Sequence, residues 1–368
     1  MKFNNLTLFL SRVFYIILLG SQYIFVFILS GCSSGWNIHN PYEQVDWEDH
    51  RQYKANFHTH TTRSDGKFSP QAVVDKYHKL GYKILTITDH NEVTFPWTDF
   101  AAMEPSDRAK ERLENGVLEQ KSLTYENRDP EALGMVAIQG NEVSTPHHVN
   151  SFFTDYEKRT DQEQIALESI ESRGGVVVIN HPGRYTGENP KKYNTNWYAD
   201  ILTRFDNIAG IEIYNQVDRY PTDRQLWDSV LVELMPGRPV WGFSNDDFHG
   251  DLNKLGVGWN VFILPELTEE SVRTGMEEGR FFYVHAAEGH NGAKPPQIES
   301  VNVNRKKGII EIKSIGQDSI RWISGDQVIQ RGNSIQLTKN TEIFDYVRAE
   351  IFGPGTITGT QPFGIHNP

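Results

Sequence analysis

From Tyr53 to Leu264 the chain alternates short apolar runs, rich in β-branched residues, with longer amphipathic stretches. That order leaves few folds open, because four or five consecutive apolar residues suit a strand buried on both faces, and strand–helix alternation winds around a mostly parallel sheet. Strands are predicted near residue 56 (KANFHTH) and at 84–88, 135–139, 176–179, 211–214, 240–243 and 261–264. Helices carry start and stop signals: Ser69-Pro70 opens one that Gly81 closes, Thr160 with Glu163 reads as a capping box for one closing at Gly174, and Thr222 with Gln225 opens one ending near Gly237. Two stretches depart from the alternation. Residues 93–134 form a long polar insertion with a charged helical piece (SDRAKERLENGVLEQ), and 184–206 reads as a long loop rich in Tyr, Asn and Trp. After Gly279 the pattern becomes strands without helix-sized segments, which predicts a small all-β appendage at 296–368.

Composition narrows the chemistry. With 36 Lys and Arg against 48 Asp and Glu, the net charge of −12 supplies no electrostatic reason to bind duplex nucleic acid. Cys32 is the single cysteine, so a disulfide framework, a CxxC redox pair and multi-cysteine zinc sites are excluded, and any metal must be held by His, Asp and Glu. Cys32 ends a run, Leu29-Ser30-Gly31-Cys32, that resembles the bacterial lipobox; it follows Lys2, Arg12 and an apolar stretch at 13–29. The resemblance implies a lipoprotein signal peptide at 1–31, a lipid on Cys32, a tether at 32–52 and an extracytoplasmic protein anchored to a bacterial membrane. A spanning anchor is the competing reading of the same apolar run. Residues 53–295 then form the catalytic domain and 296–368 the β-domain.

The chemistry sits where the predicted strands stop. His58-Thr59-His60 follows the first, Thr88-Asp89-His90 the second, Gly140-Asn141-Glu142 the third and Asn180-His181-Pro182 the fourth. Glu212 and Asn215 end the fifth, and Asn245-Asp246-Asp247-Phe248-His249 ends the sixth. In a parallel α/β barrel the C-terminal strand ends share one rim, so these groups converge although scattered along the chain. His58 and His60 project from the same side of a strand. Among 13 His, roughly half an HxH pair arises by chance, so that pair alone is weak. Several imidazoles and carboxylates on one rim are another matter, since desolvating them together is costly without a cation.

His58-Thr59-His60-Thr61 with Ser64-Asp65-Gly66, followed in order by the Asp89-His90, Asn141-Glu142, His181-Pro182 and Asp247-Phe248-His249 segments, resembles the motifs of the PHP (polymerase and histidinol phosphatase) metal-dependent phosphoesterases. The resemblance spans roughly 56–285. It implies a distorted seven-stranded (β/α) barrel holding two or three divalent ions. His58, His60, Glu142 and Asp247 would hold the first ion; Glu142 would bridge to a second held by His148 and His181; Asp65, His90 and His249 would hold a third, with Asp65 where some members have His. His148 is preferred to His147 because HVNSFF opens the next strand, and Asp247 to Asp246 because only Asp247 makes the Asp-x-His spacing. An N and O ligand set suits Zn, Mn or Fe.

Such a site generates a metal-bridging hydroxide at neutral pH and clamps the group it attacks. A small organic phosphate ester is the substrate expected, because the ions neutralise charge that an acidic protein repels. Asp89 is a candidate proton source or orienting group, and Arg184 a candidate phosphate contact. Glu212 and Asn215 either orient their neighbours or line the pocket. The same chemistry serves carboxylic ester, amide or carbamate hydrolysis, and a noncatalytic binding lipoprotein is the third reading.

Overall fold

The computed structural model describes residues 35–144, 146–340 and 343–366. The described chain begins with β1 (Asn37–His39), β2 (Arg51–Asn56), α1 (Pro70–Lys79), β3 (Ile84–Leu85), α2 (Asp107–Glu114), β4 (Val136–Ala137), β5 (Gly140–Val143) and β6 (Val149–Phe152). It continues through α3 (Glu163–Glu171), β7 (Val176–Ile179), α4 (Pro182–Glu188), α5 (Thr195–Arg204), β8 (Ile208–Asn215) and α6 (Asp223–Leu234). β9 (Trp241–Asn245), β10 (Gly258–Leu264), α7 (Glu269–Glu278) and β11 (Phe281–Ala286) follow. The C-terminal strands are β12 (Gln297–Asn304), β13 (Ile309–Ile315), β14 (Ser319–Ser324), β15 (Gln327–Arg331), β16 (Ser334–Gln336), β17 (Tyr346–Gly353), β18 (Thr356–Gly359) and β19 (Phe363–His366).

Local signals explain several boundaries. α1 starts with Pro70 at its first turn and buries Val73, Val74 and Tyr77, one face at helical spacing, before Gly81 turns the chain at φ +79°. α7 is capped by the Thr268 side chain accepting from Ser271 N, carries Glu269 and Glu270 in its first turn, and stops at left-handed Gly279. Two expected capping boxes do not form. Thr160 spends its hydroxyl on Gln162 N inside a turn, so α3 starts without a side-chain cap, and Thr222 already has helical backbone angles, which aim its side chain away from the cap position. The 184–206 stretch is two helices, α4 and α5, because Asn194 caps α5 through Trp197 N and Tyr198, Ile201 and Leu202 bury one face.

All seven predicted strands are present, but they do not close a seven-stranded barrel. β2, β3 and β4 run parallel in one sheet, and β7, β8 and β9 run parallel in another that also contains antiparallel β5 and β6. β10, expected as parallel, is antiparallel to both β2 and β11. Among the described residues the two sheets meet through isolated bridges, Thr59 with Phe248 and His90 with Glu142. The reason is local: beyond Asn56 most backbone donors are taken by side chains, Phe57 N by Asn245 Oδ1, His58 N by Asn56 Oδ1, Thr59 N by Thr88 Oγ1 and Thr61 N by Asp89 Oδ1, while His60 N bonds Phe248 O. A ladder cannot continue where its N–H groups are already satisfied.

The C-terminal strands extend the larger sheet, whose order is β1-β19-β17-β18-β11-β10-β2-β3-β4 with β14 and β15 branching from β17. β12, β13 and β16 form a separate three-stranded sheet. The expected boundary near 295 is therefore crossed by the β11–β18 pairing. Residues from Trp36 onward, expected as tether, are packed: β1 pairs with β19, Ile38 and Tyr42 are buried, and Tyr42 Oη accepts from Gln361 N while donating to Phe281 O. Trp36, Tyr42 and Trp47 join an apolar core with Phe282 and Phe363, which a solvated linker lacks. The expected signal peptide and Cys32 lie outside the described residues. No helix among the described residues is long and apolar enough to cross a membrane.

Candidate metal centre

The centre forms where the two sheets meet, and the interrupted ladder is what opens it. His58 and His60 follow β2, Glu142 lies on β5, His148 precedes β6, His181 follows β7, and Asp247 with His249 follows β9. His58 Nε2 lies 3.2 Å from Asp247 Oδ1 and 3.4 Å from Glu142 Oε2, and His60 Nε2 lies 3.2 and 3.3 Å from the same two oxygens. Glu142 Oε1 faces His148 Nδ1 at 2.9 Å and His181 Nε2 at 3.3 Å. Asp65 Oδ1 faces His249 Nε2 at 3.1 Å and His90 Nε2 at 3.7 Å.

Two of these groupings bring together residues that the sequence places in common sets. His58, His60 and Asp247 offer one converging set, and His60, Asp65, His90 and His249 another. Around Glu142 the arrangement is finer than expected. His181 groups with His58 and Glu142, whereas His148 groups with His90 and Glu142, although both imidazoles face Glu142 Oε1. His147 is excluded from the centre: Tyr198 Oη lies 2.9 Å from its Nε2, its ring stacks on Tyr185, and burial holds its pKa well below the ordinary value. Asp246 is also outside. Its carboxylate accepts from Gly256 N, Val257 N, Gly258 N and Tyr77 Oη, closing the turn into β10, and burial outweighs those donors to raise its pKa to about 6.

Electrostatics favours a cation here. Burial penalises the charged form of every member, yet Glu142 and Asp247 are held well below the ordinary carboxylate range by the imidazoles around them. Against the same penalty, the carboxylates hold His58 well above its ordinary value and His60 at about 10. Asp65 is lowered by its three imidazole neighbours, whereas burial takes His90 down to about 4. His58 Nε2, both ring nitrogens of His60 and Asp65 Oδ1 are buried without a hydrogen-bond partner. Ring nitrogens and carboxylate oxygens thus converge at 3.2–3.4 Å without hydrogen-bond geometry between them. Orphaned buried acceptors with this N and O donor set fit divalent cations.

The residues behind the ligands fix their orientation. Glu212 Oε1 accepts from His58 Nδ1 at 3.0 Å and from Asn245 Nδ2, while Oε2 accepts from His181 N and Asn215 Nδ2. That bond places the proton on Nδ1 and leaves Nε2 of His58 as the ligand atom. Asn180 Nδ2 donates to Glu142 Oε1, Ser144 Oγ meets His90 Nδ1 at 2.8 Å, and Tyr185 Oη accepts from His148 N. Gln216 Nε2 donates to Asp247 Oδ2 while Lys254 Nζ donates to Gln216 Oε1. Strain is concentrated here too, with His181 at φ +27°, Asp247 at +44° and Gln216 at +55°. Ser144 was findable, since period two puts it on the Glu142 face of β5; Gln216, Lys254 and Tyr185 carry no local signal.

Two expected catalytic residues are placed differently. Asp89 accepts from Thr61 N and Ser64 Oγ on Oδ1 and from Thr61 Oγ1 and Thr94 Oγ1 on Oδ2, which occupies its acceptor sites and makes it a positioning residue for the His60–Asp65 loop. Arg184 is 41% exposed, pairs with Glu188 on its own helix and lies against the Tyr185 ring. The guanidinium groups that do reach the ligand loop come from the insertion: Arg108 Nη1 is 3.4 Å from Asp65 Oδ2, and Arg112 donates to the carbonyls of Asp65 and Gly66.

No family model matches the sequence, and no curated protein matches it. Among solved structures, a two-domain protein containing a PHP-like metal-dependent phosphoesterase from Bacteroides vulgatus aligns over 88% of both chains, with TM-score 0.49 and 16% identity. A protein assigned as a metal-dependent phosphoesterase from Bifidobacterium adolescentis aligns over 53% of this chain and 87% of its own, with TM-score 0.33 and 13% identity. An amidohydrolase from Chromobacterium violaceum aligns over 54% of this chain and 88% of its own, with TM-score 0.34 and 15% identity.

Proposed function

We propose that the protein is a metal-dependent hydrolase whose substrate is a small organic phosphate ester. The observation that carries this reading is the set of buried, unpartnered ring nitrogens of His58 and His60 aimed at Glu142 and Asp247. When bound, paired divalent cations lower the pKa of a water and stabilise charge on the attacked group. His58, His60, Glu142 and Asp247 would hold the first, Glu142 with His148 and His181 the second, and Asp65, His90 and His249 a third. Glu212, Asn180 and Gln216 hold the ligand side chains in register. Arg108, 65% exposed beside Asp65, takes the anion-contacting role expected of Arg184. Phosphate suits such a centre because cations there offset the carboxylates and the net charge of −12.

Phosphate release from a panel of phosphorylated metabolites, with and without chelator, tests the reading. Turnover that chelator abolishes and that His60→Ala or Asp247→Ala removes, with folding retained, supports it. Hydrolysis of aryl acetates or carbamates alone assigns the centre to carbon esters or amides, and absence of bound transition metal in the purified protein overturns a catalytic role.

We further propose that Cys32 carries a lipid that anchors the protein on the extracytoplasmic side of a bacterial membrane. Cys32→Ala would then shift the protein from the membrane to the soluble fraction; unchanged partitioning refutes the anchor.

A further inference from the structure

One face of the larger sheet borders a cavity whose lining shares no residue with the metal centre. Register places Lys54, Val261 and Phe282 in one row across β2, β10 and β11, and Trp259, Val284 and Thr358 in the next across β10, β11 and β18. The chain at 289–298 arches over this face and leaves a cavity of about 510 Å³. That volume lies in the range of small-molecule sites. The lining mixes apolar side chains with Lys54 in the floor, Lys294 and His290 at the edge, Gln297, Thr358, whose hydroxyl donates to Pro296 O, and Gln52, whose amide already donates to Ile298 O.

Lys54 is the unusual element. Its ammonium sits 4.1 Å from the centre of the Tyr82 ring and 4.0 Å from that of Trp259. Among the described residues it makes no hydrogen bond or ion pair, and in a chain of net charge −12 the cavity lining contains no Asp or Glu. Lys54 is half-buried, and cation–π contact with the two rings offsets part of what its ammonium loses in hydration. Burial takes its pKa down to about 8 although Asp246 pulls the other way.

We propose that this cavity is a second ligand site, for a small monocarboxylate with an aromatic or aliphatic body. The carboxylate pairs with Lys54, and Lys294 at the edge adds attraction as the ligand enters. The apolar body lies over Val261, Phe282 and Leu80, displacing water from that face. A monocarboxylate rather than a polyanion fits because Lys54 is the single cation in the floor and Lys294 stands only at the edge. The site is independent of the metal centre, so its test is separable from that of the hydrolase reading.

Isothermal titration of the whole protein with 4-phenylbutyrate, with neutral 4-phenylbutyramide as control, tests this. The expected result is saturable one-to-one binding that weakens at least about tenfold in Lys54→Met and for the amide, persists in Lys54→Arg, and is unchanged in Asp247→Asn. No saturable binding at millimolar ligand overturns the proposal, as does equal affinity for acid and amide. Loss of binding in Asp247→Asn also overturns it, by placing the carboxylate at the metal centre.

Discussion

A histidine ligates through one nitrogen only if something else holds the other. For His58 that group is Glu212, whose four hydrogen bonds also bind the turn after β7 and the end of β9. Glu212→Gln puts an amide NH₂ where an acceptor is needed, so metal affinity measured against a competing chelator should fall about 10–100-fold; unchanged affinity would mean the bond is incidental. His285 tests a residue remote from the ligands. It stacks on Tyr214 with centroids 4.5 Å apart, and burial, together with Arg224 and against Asp218, lowers its pKa from 6.5 to about 4. The unfolded chain therefore binds the proton first. Stability contributed by neutral His285 is complete above pH 6.5 and is lost as pH falls from 6.5 toward 4. His285→Phe, which keeps the stacking, should flatten that acid limb in urea titrations. Most histidines of the centre were legible because they follow predicted strands, and His148 because it opens one. The role of Asp89 was not, because its partners Thr61, Ser64 and Thr94 become neighbours only when the loop folds.

Short elements matter as much as long ones. α2 is only eight residues, yet it delivers Arg108 and Arg112 to the Asp65 loop and is pinned by Ser106, which accepts from Ala109 N and donates to Ser64 O at 2.6 Å. Ser106→Ala should cost about 0.5–2 kcal/mol in denaturant unfolding, the usual range for a lost cap, and should loosen the His90–His249–Asp65 grouping more than the His58–His60–Asp247 one. Metal titration resolving two affinities checks this; equal weakening of both would argue against a local effect. The insertion was recognisable as an insertion and its helix as a helix. Its destination was not, because neither hydrophobic periodicity nor capping says which loop a polar helix reaches.

α6 and the C-terminal strands are joined through buried charge. Asp228 accepts from Arg348 Nε and Nη2 and from Tyr346 Oη, Arg348 Nη1 donates to Glu350, and Glu350 also holds Arg321. Asp228→Ala leaves Arg348 buried with one carboxylate gone, and should destabilise the fold by about 3–5 kcal/mol in urea unfolding. A cost below about 1 kcal/mol would show that the network adapts. This junction makes 53–295 and 296–368 parts of one packed body, together with the β11–β18 pairing and the burial of Tyr42. Periodicity and strand-end composition suffice to specify seven strands, the helices α1, α3 and α6 and the candidate site residues at the strand ends, because those patterns are written within a few residues of one another. Sheet pairing, the Thr61 and Ser64 partners of Asp89, the reach of α2 and the docking of the N- and C-terminal strands depend on hydrogen bonds between residues tens to hundreds of positions apart, and no local pattern records which donor meets which acceptor.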